Sequence, residues 1–461
     1  MGILSWHRYI PAACEEKYPH VLEDLRKCHV EPSDDSTDVG LLFFTGRSEE
    51  LLPGVREGCR SIARILAVAL GEEAPNADIC WQLLEAGVSD VAWWGGSRTI
   101  AQDIYERLDR WKSIEQDLRS PIVRNYMVGE SRVWTATVRE LIEIARYHSG
   151  QCLLQGESGT GKELAARLIH TLDGREGKGE LVIVDCSTIA AELSGSEFFG
   201  HERGAYTGAS SRREGAFSIA NRGTLLLDEV GELPLPLQAQ LLRVIQEGTY
   251  KPLGANTWQR TSFRLVCATN RDLASDVSRG RFRTDLYYRI AGAVVTLPPL
   301  RQRKEDVIPL AKHFMRETLP GGFDREIDKT VKAYLLGLEY SGNVRELRQI
   351  VMRMCQRHAG RGPLTLGDLA PEDLPRDLSR RSAWHDGAFE SCIRRAVFDG
   401  ATLKEIGKRA TDCAIQGALE NSEGNLRLAA GKLGVTDRAL QIRRAIRREA
   451  SENGTGRRAT T

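Results

Sequence analysis

Eight consecutive residues, Gly156, Glu157, Ser158, Gly159, Thr160, Gly161, Lys162 and Glu163, have the types and spacing to hold a phosphate chain. The glycines let backbone N–H groups converge on phosphate oxygens, a following helix adds partial positive charge, and Lys162 adds a full one. Glu163 stands where Ser or Thr commonly meets magnesium, and taken alone the run is also compatible with a glycine-rich turn. Asp228 and Glu229 close the apolar run Thr224–Leu227. Such a pair can hold magnesium through its water shell and polarise a water for attack on a γ-phosphate, or simply end a strand in an acidic cap. Thr269 and Asn270, which end Phe263–Ala268, either report the γ-phosphate or start a turn. Arg283 and Arg289, in RFRTDLYYRI, carry forks suited to developing phosphoryl charge, with surface pairing to Asp285 as the alternative. In SGNVRELRQIV, Asn343 is the expected helix cap, and Arg345 in the first turn opposes the helix dipole and so invites an anion.

Positioning these groups requires strands that end where the chemistry begins. Cys152–Leu154 precedes the glycine loop and a helical pattern, Leu164–Leu172, follows it; Leu181–Val184 supplies another short strand before Asp185. Nearer the N-terminus, Val39–Phe44, Ile65–Leu70 and Asp90–Trp94 read as strands among helical patterns at Ala13–Lys27, Leu51–Ile62, Asp78–Ala86 and Thr99–Trp111. This alternation predicts a small doubly wound sheet. Asp109–Ser120 reads as a charged helix linking the two parts, or as a solvated spacer. At 461 residues the chain exceeds one core, and 41% apolar with 28% charged residues is a globular composition. A net charge of +1 excludes overall attraction to polyanions, so a nucleic-acid footprint must be local. Ten cysteines without a C-x-x-C pair argue against zinc and disulfide frameworks. No leader pattern or membrane-length apolar run is present, which predicts a cytoplasmic protein without a membrane partner.

In order along the chain, GESGTGKE, FFGHERGAYTGA, GTLLLDEVGELP, ATNRDL, FRTDLYYRI, LPPLRQRKEDV and SGNVREL closely resemble the AAA+ ATPase domain of NtrC-type bacterial enhancer-binding proteins, which activate sigma-54 RNA polymerase. The resemblance implies ATP and Mg2+ as ligands. It makes Gly156, Gly161 and Lys162 the Walker A cradle and Glu163 a family feature, so that magnesium rests mainly on Asp228 and waters. It makes Asp228 and Glu229 Walker B, Thr269 and Asn270 sensor I, and Arg345 sensor II. Arg283 and Arg289 correspond to arginine fingers that reach a neighbouring subunit, which implies a homo-oligomer, dimer to hexamer. Gly204, Ala205, Tyr206, Thr207, Gly208 and Ala209 resemble the loop that contacts sigma-54, with Tyr206 where Phe is usual. Asp185 replaces an Asn common in the family that restrains the Walker B glutamate; two like charges at that point predict altered gating.

The first part weakly resembles a receiver domain, notably in LLEAGVSDVAWW. Thr45 occupies the phosphoacceptor position, and Trp93, Trp94 and Gly95 stand where a lysine is usual. A domain that takes an unknown protein or ligand signal without phosphorylation is therefore expected. In the last part, helical stretches at Gly387–Phe398 and Leu403–Leu419 precede GNLRLAAGKLGVTDRALQIRRAIRRE, a helix-turn-helix pattern similar to Fis-type DNA-binding domains. Ala429 and Ala430 permit close packing, Gly434 turns the chain, and Leu440 and Ile446 point inward. Thr436, Arg438, Gln441, Arg443, Arg444 and Arg447 are the candidates for contact with double-stranded upstream DNA.

The expected architecture is therefore α/β: an AAA+ P-loop ATPase with helical lid, an N-terminal receiver-like α/β domain and a C-terminal all-α helix-turn-helix domain. The boundaries are residues 1–120, 121–302 (core), 303–366 (lid), 367–400 (linker) and 401–461. The expected function is ATP-driven remodelling of the sigma-54 RNA polymerase holoenzyme at promoters bound from upstream. The alternatives are a nucleotide-controlled DNA-binding regulator that does not remodel polymerase, and a remodeller of a non-transcriptional client.

Overall fold

The apolar runs pair as parallel strands. The computed structural model describes residues 4–9, 19–32, 39–45, 55, 64–96, 99–188, 194–206, 209–319, 325–360, 362–374, 387–422, 425–436, 438 and 440–441. The chain divides into two compact units, Met1–Asp373 and Leu374–Thr461.

The first sheet of unit one contains β1 (Leu4–Tyr9), β2 (Val30–Pro32), β3 (Val39–Phe44), β4 (Arg64–Ala69) and β5 (Asp90–Trp93) in the parallel order β2-β1-β3-β4-β5. This is the doubly wound, flavodoxin-like order. Its central strands are apolar because both faces are covered. Val21 and Leu25 of helix α1 (Pro19–Lys27) pack on one face, whereas Leu83 of α2 (Ala77–Glu85) packs on the other. β1 and β2 were not expected from the sequence: LSWHRY mixes polar with apolar residues, and a strand of three residues carries no period. The helix expected at Leu51–Ile62 lies outside the described residues except Val55.

Helix α3 runs from Ile100 to Arg119 without a break, so the stretch expected to link the two parts is its second half and not a separate helix. Nor is its second half a solvated spacer, because Trp111, Ile114 and Glu115 are buried. It lies against α5 (Arg132–Tyr147), where Glu115 pairs with Arg139 and Asp117 with Arg146. Glu143 of α5 also accepts from Arg110 and from Arg64 of β4. Between these helices, α4 (Pro121–Tyr126) begins at Ser120, whose hydroxyl accepts from the Val123 N–H.

The second sheet is built from β6 (Cys152–Gln155), β7 (Leu181–Asp185), β10 (Thr224–Asp228), β13 (Arg264–Thr269) and β14 (Ala293–Thr296) in the order β14-β6-β13-β10-β7, all parallel. Two short antiparallel ribbons, β8 (Gly200–His201) with β9 (Arg213–Glu214) and β11 (Thr249–Tyr250) with β12 (Gln259–Arg260), carry loops away from it. β14, half exposed along its length, was not expected. Helix α6 (Lys162–Leu172) follows β6 and buries Ala165, Ala166, Leu168 and Ile169 against the same face as α5. A separate core joins α7 (Val307–Thr318), α8 (Lys329–Leu336) and α9 (Asn343–Arg357) into the lid.

Unit two contains α10 (Gly387–Phe398), α11 (Leu403–Glu420) and α12 (Leu426–Leu433). Thr402 and Glu405 form a capping box for α11, and the Asn425 side chain caps α12. Gly434 ends α12 at φ 65°, and Ala429, Ala430 and Leu440 are buried with Ile415 and Ala418, the packing of a helix-turn-helix.

Candidate nucleotide site

The chemistry gathers at the carboxyl ends of β6, β10 and β13, where a cavity of about 520 Å³ opens between the core and the lid. That volume lies within the usual range for ligand sites. The loop after β6 places Gly159 and Gly161 at φ 77° and 109°. Gly159 admits no side chain: a Cβ there would stand 2.3 Å from the Gly342 carbonyl oxygen of the lid. Lys162 opens α6, is 7% exposed, and donates from Nζ to the Gly156 carbonyl at 2.8 Å. The same ammonium lies 3.6 Å from Glu229 Oε1, so it bridges the phosphate loop and the acidic pair.

Glu229 adopts a left-handed conformation, φ 52°, which turns its carboxylate to the Asn270 N–H at 3.0 Å. Asn270 therefore engages through its backbone. Burial, and then the neighbouring Glu229 charge, push the Asp228 carboxyl above the usual carboxylate range, with Lys162 opposing them. Asp185 adds to that rise from β7, opposite Asp228 in register. The Asp185 carboxylate itself turns into its own loop, accepting from Ser187 N at 2.9 Å and Ser187 Oγ at 2.6 Å. Thr269, fully buried, accepts the Arg271 N–H on Oγ1, and its carbonyl accepts the Gly156 N–H.

From the lid, Arg345 Nη1 donates to Ser158 Oγ at 3.2 Å. Asn343 is not a helix cap: Gly342 holds that position, and Asn343 is buried at φ 52°. Its side chain clamps three segments. Oδ1 accepts the Leu300 N–H at 2.8 Å, and Nδ2 donates to the Ser158 carbonyl and Glu157 Oε2, both at 3.1 Å. Glu157 also receives both terminal nitrogens of Arg301, at 2.5 and 2.8 Å; the bonds from Arg301 and Asn343 hold its carboxyl down at about 2. Glu163 is paired along its own helix with Arg167 at 2.7 Å.

Arg283 and Arg289 are exposed and do not line this cavity in their own chain. Arg283 is bound by Asp285 through two bonds, 3.0 and 2.7 Å. In the loop from Gly204 to Ala209, Thr207 and Gly208 lie outside the described residues. Gly204 N–H donates to the Ala209 carbonyl, and Ala205 packs against Gly254 of the β11–β12 connection. Tyr206 is 41% exposed and sets its ring edge-on to His201 at 5.1 Å. In unit two Arg438 and Gln441 are exposed, and the Leu440 N–H donates to the Thr436 carbonyl. Arg443, Arg444, Arg447 and Ile446 lie outside the described residues.

Three further residues were passed over in the sequence. Asp306 is fully buried and accepts the Glu130 and Ser131 N–H groups, each at 2.7 Å, with the Ser131 hydroxyl on its other oxygen. Arg303, 2% exposed, lies 3.7 Å over the Trp134 ring, and both line the cavity. Arg303 and Asp306 belong to LPPLRQRKEDV, so the motif was visible while its connections were not.

The site fits a nucleoside triphosphate and magnesium. A buried ammonium, a loop closed to side chains at Gly159 and a half-buried aspartate match phosphate and a hydrated divalent ion. Among the described residues no cluster of His, Cys, Asp or Glu is arranged to enclose a metal alone, and no helix is long and apolar enough to cross a membrane.

Residues 127–296 match the family described as Sigma-54 interaction domain, and residues 301–386 match the AAA+ ATPase lid domain. The chain is 40% identical over 298 residues to the regulatory protein AtoC of Escherichia coli, a match covering 63% of this chain but 61% of that one. It is 39% identical over 305 residues to a Nif-specific regulatory protein of Rhizobium leguminosarum, covering 64% of this chain and 78% of that one. The crystal structure of NtrX from Brucella abortus in complex with ATP is similar in fold, at a TM-score of 0.50 and 22% identity over 93% of this chain and 96% of that one.

Proposed function

Because the chain belongs to the family of sigma-54-dependent transcriptional regulators with an AAA+ domain, we propose that it hydrolyses ATP and uses the energy to remodel the sigma-54 RNA polymerase holoenzyme. The observation that carries this reading is Lys162, buried between the phosphate loop and Glu229 beneath a lid whose Arg345 reaches Ser158. Gly156 to Lys162 would hold the phosphates. Asp228 and water would hold magnesium, which supplies neutralisation of the phosphate charge. Glu229 would take the proton of the attacking water, its carboxylate aimed by the Asn270 N–H. Arg345 would close the lid on the nucleotide.

Arg283 and Arg289, exposed and away from their own cavity, would act on the nucleotide of the next subunit in a homo-oligomer, Arg283 first leaving Asp285. The loop of Gly204, Ala205, Tyr206, Thr207, Gly208 and Ala209 would carry the movement to sigma-54, glycine freedom permitting large backbone change. Unit two would bind upstream DNA through Thr436, Arg438, Gln441, Arg443, Arg444 and Arg447. The exposure of Val397, Phe398 and Leu403 supports its pairing with a second copy. The first sheet would receive a signal other than phosphorylation, Thr45 following β3 where an acceptor aspartate would be needed. The test is open-complex formation on a sigma-54 promoter by the full chain and by Lys162→Ala. ATP-dependent open complexes from the wild type alone support the reading; ATP hydrolysis without open complexes overturns it in favour of a nucleotide-controlled DNA-binding regulator.

A further inference from the structure

Arg303 carries its charge deep inside the ATPase part. It is 2% exposed, and its Nε and Nη1 have no hydrogen-bond partner among the described residues. The nearest carboxylate, Asp306, stands 4.0 Å away with both oxygens engaged by Glu130 and Ser131. Burial brings the guanidinium down to about 10. A buried cation with so long an ion pair and two unbonded nitrogens is costly, so its retention calls for a function.

Two contacts indicate which one. Nη2 donates to the Thr160 carbonyl at 3.2 Å, and the guanidinium plane lies 3.7 Å over the Trp134 ring. In a planar trans peptide the carbonyl of one residue and the N–H of the next point in opposite directions. A guanidinium that holds the Thr160 carbonyl on the buried side of the loop therefore turns the Gly161 N–H to the opposite side. Thr160 is 1% exposed, whereas a Cβ added at Gly161 would meet nothing within 4 Å. The back of this peptide is packed and its front is open.

We propose that Arg303 is a positioning residue for the phosphate chain: it fixes the Thr160–Gly161 peptide with its N–H toward the cavity and places behind the loop a positive charge that Asp306, at 4.0 Å, offsets only in part. This rests on the reading of the cavity as an ATP site. The Trp134 ring holds the guanidinium plane without adding a negative charge to that of Asp306. The resulting field favours polyanionic ligands in the ground state, so its loss is read in KM rather than in kcat.

The test is steady-state ATP hydrolysis and equilibrium ATP binding by the full chain carrying Arg303→Met or Arg303→Gln, with melting temperatures measured alongside. Arg303→Met should raise KM and Kd for ATP about tenfold, equivalent to about 1.4 kcal/mol, with kcat within about threefold. Arg303→Gln keeps a planar N–H donor but no charge and should raise KM about threefold, between wild type and Met. If the Met chain does not fold, the Gln chain decides. A folded Met or Gln variant with wild-type KM and only a lower melting temperature overturns the proposal and leaves Arg303 a bolt between lid and core. The same result with an active wild type leaves the ATP site standing; a wild type that neither binds nor hydrolyses ATP overturns both.

Discussion

Replacing Asn343 by alanine should loosen the lid from the phosphate loop, by an amount that follows from its contacts. The Leu300 N–H, on a fully buried residue, would lose its acceptor, Asn343 Oδ1 at 2.8 Å. Leaving such a donor unsatisfied costs about 1–3 kcal/mol. The bonds from Nδ2 to Ser158 O and Glu157 Oε2 lie nearer solvent, and their loss adds about 0.5–1.5 kcal/mol each. Alanine at φ 52° adds roughly 1 kcal/mol of left-handed strain that asparagine tolerates better. The total is roughly 3–7 kcal/mol, or a fall in melting temperature on the order of 10–20 °C for the ATPase part. Asn343→Gly loses the same bonds without the strain and should recover about 1 kcal/mol. Asn343→Asp keeps the acceptor for Leu300 but sets a carboxylate against Glu157, so it should stay folded while weakening ATP binding. Thermal unfolding followed by circular dichroism, with ATP titration of each variant, measures all three. Alanine and glycine variants that both melt within about 2 °C of wild type would refute the clamp.

Gly159→Ala forces a methyl group to 2.3 Å from the Gly342 carbonyl at φ 77°, and should weaken ATP binding at least about tenfold by calorimetry; unaltered affinity would mean the lid yields freely. Glu229→Gln keeps an acceptor for the Asn270 N–H but no base, so ATP should still bind while hydrolysis falls about 100-fold or more. Retained hydrolysis would remove Glu229 from that role. Glu157, held at about 2 by Arg301 and Asn343, favours the folded state above the ordinary carboxylate range and loses that contribution as pH falls from about 4.5 toward 2. The melting-temperature gap between wild type and Glu157→Gln should therefore shrink on acidification from pH 5 to 3, and a constant gap would contradict the linkage.

Much of the scaffold was legible along the chain. β3, β6, β10 and β13 are short apolar runs of the kind a parallel sheet covered on both faces buries, and the glycine spacing before Lys162 already suited phosphate-binding geometry. β1 and β2 were not legible, since the pairing of β1 with β2 and with β3 is decided by neighbours distant in sequence rather than by a local period. The second half of α3 read as a linking helix and left a solvated spacer open, because its charges suggested solvent. Burial of Glu115 against Arg139 depends on α5, which sequence patterning does not bring alongside.

The sequence by itself determined which groups exist and in what order: phosphate loop, acidic pair, arginines, aromatic loop and basic helix. Tertiary structure decided what each side chain touches. Asn343, readable as a local cap, became a clamp across the lid; Asp185 turned away from Glu229 and acts on Asp228; Arg303, unmarked within its motif, came to rest behind Thr160 over Trp134. The physical reason is common to all three. Local spacing sets backbone conformation, whereas burial and hydrogen-bond direction depend on segments distant in sequence that meet only in the folded chain, lid on core for Asn343 and Arg303 and β7 beside β10 for Asp185.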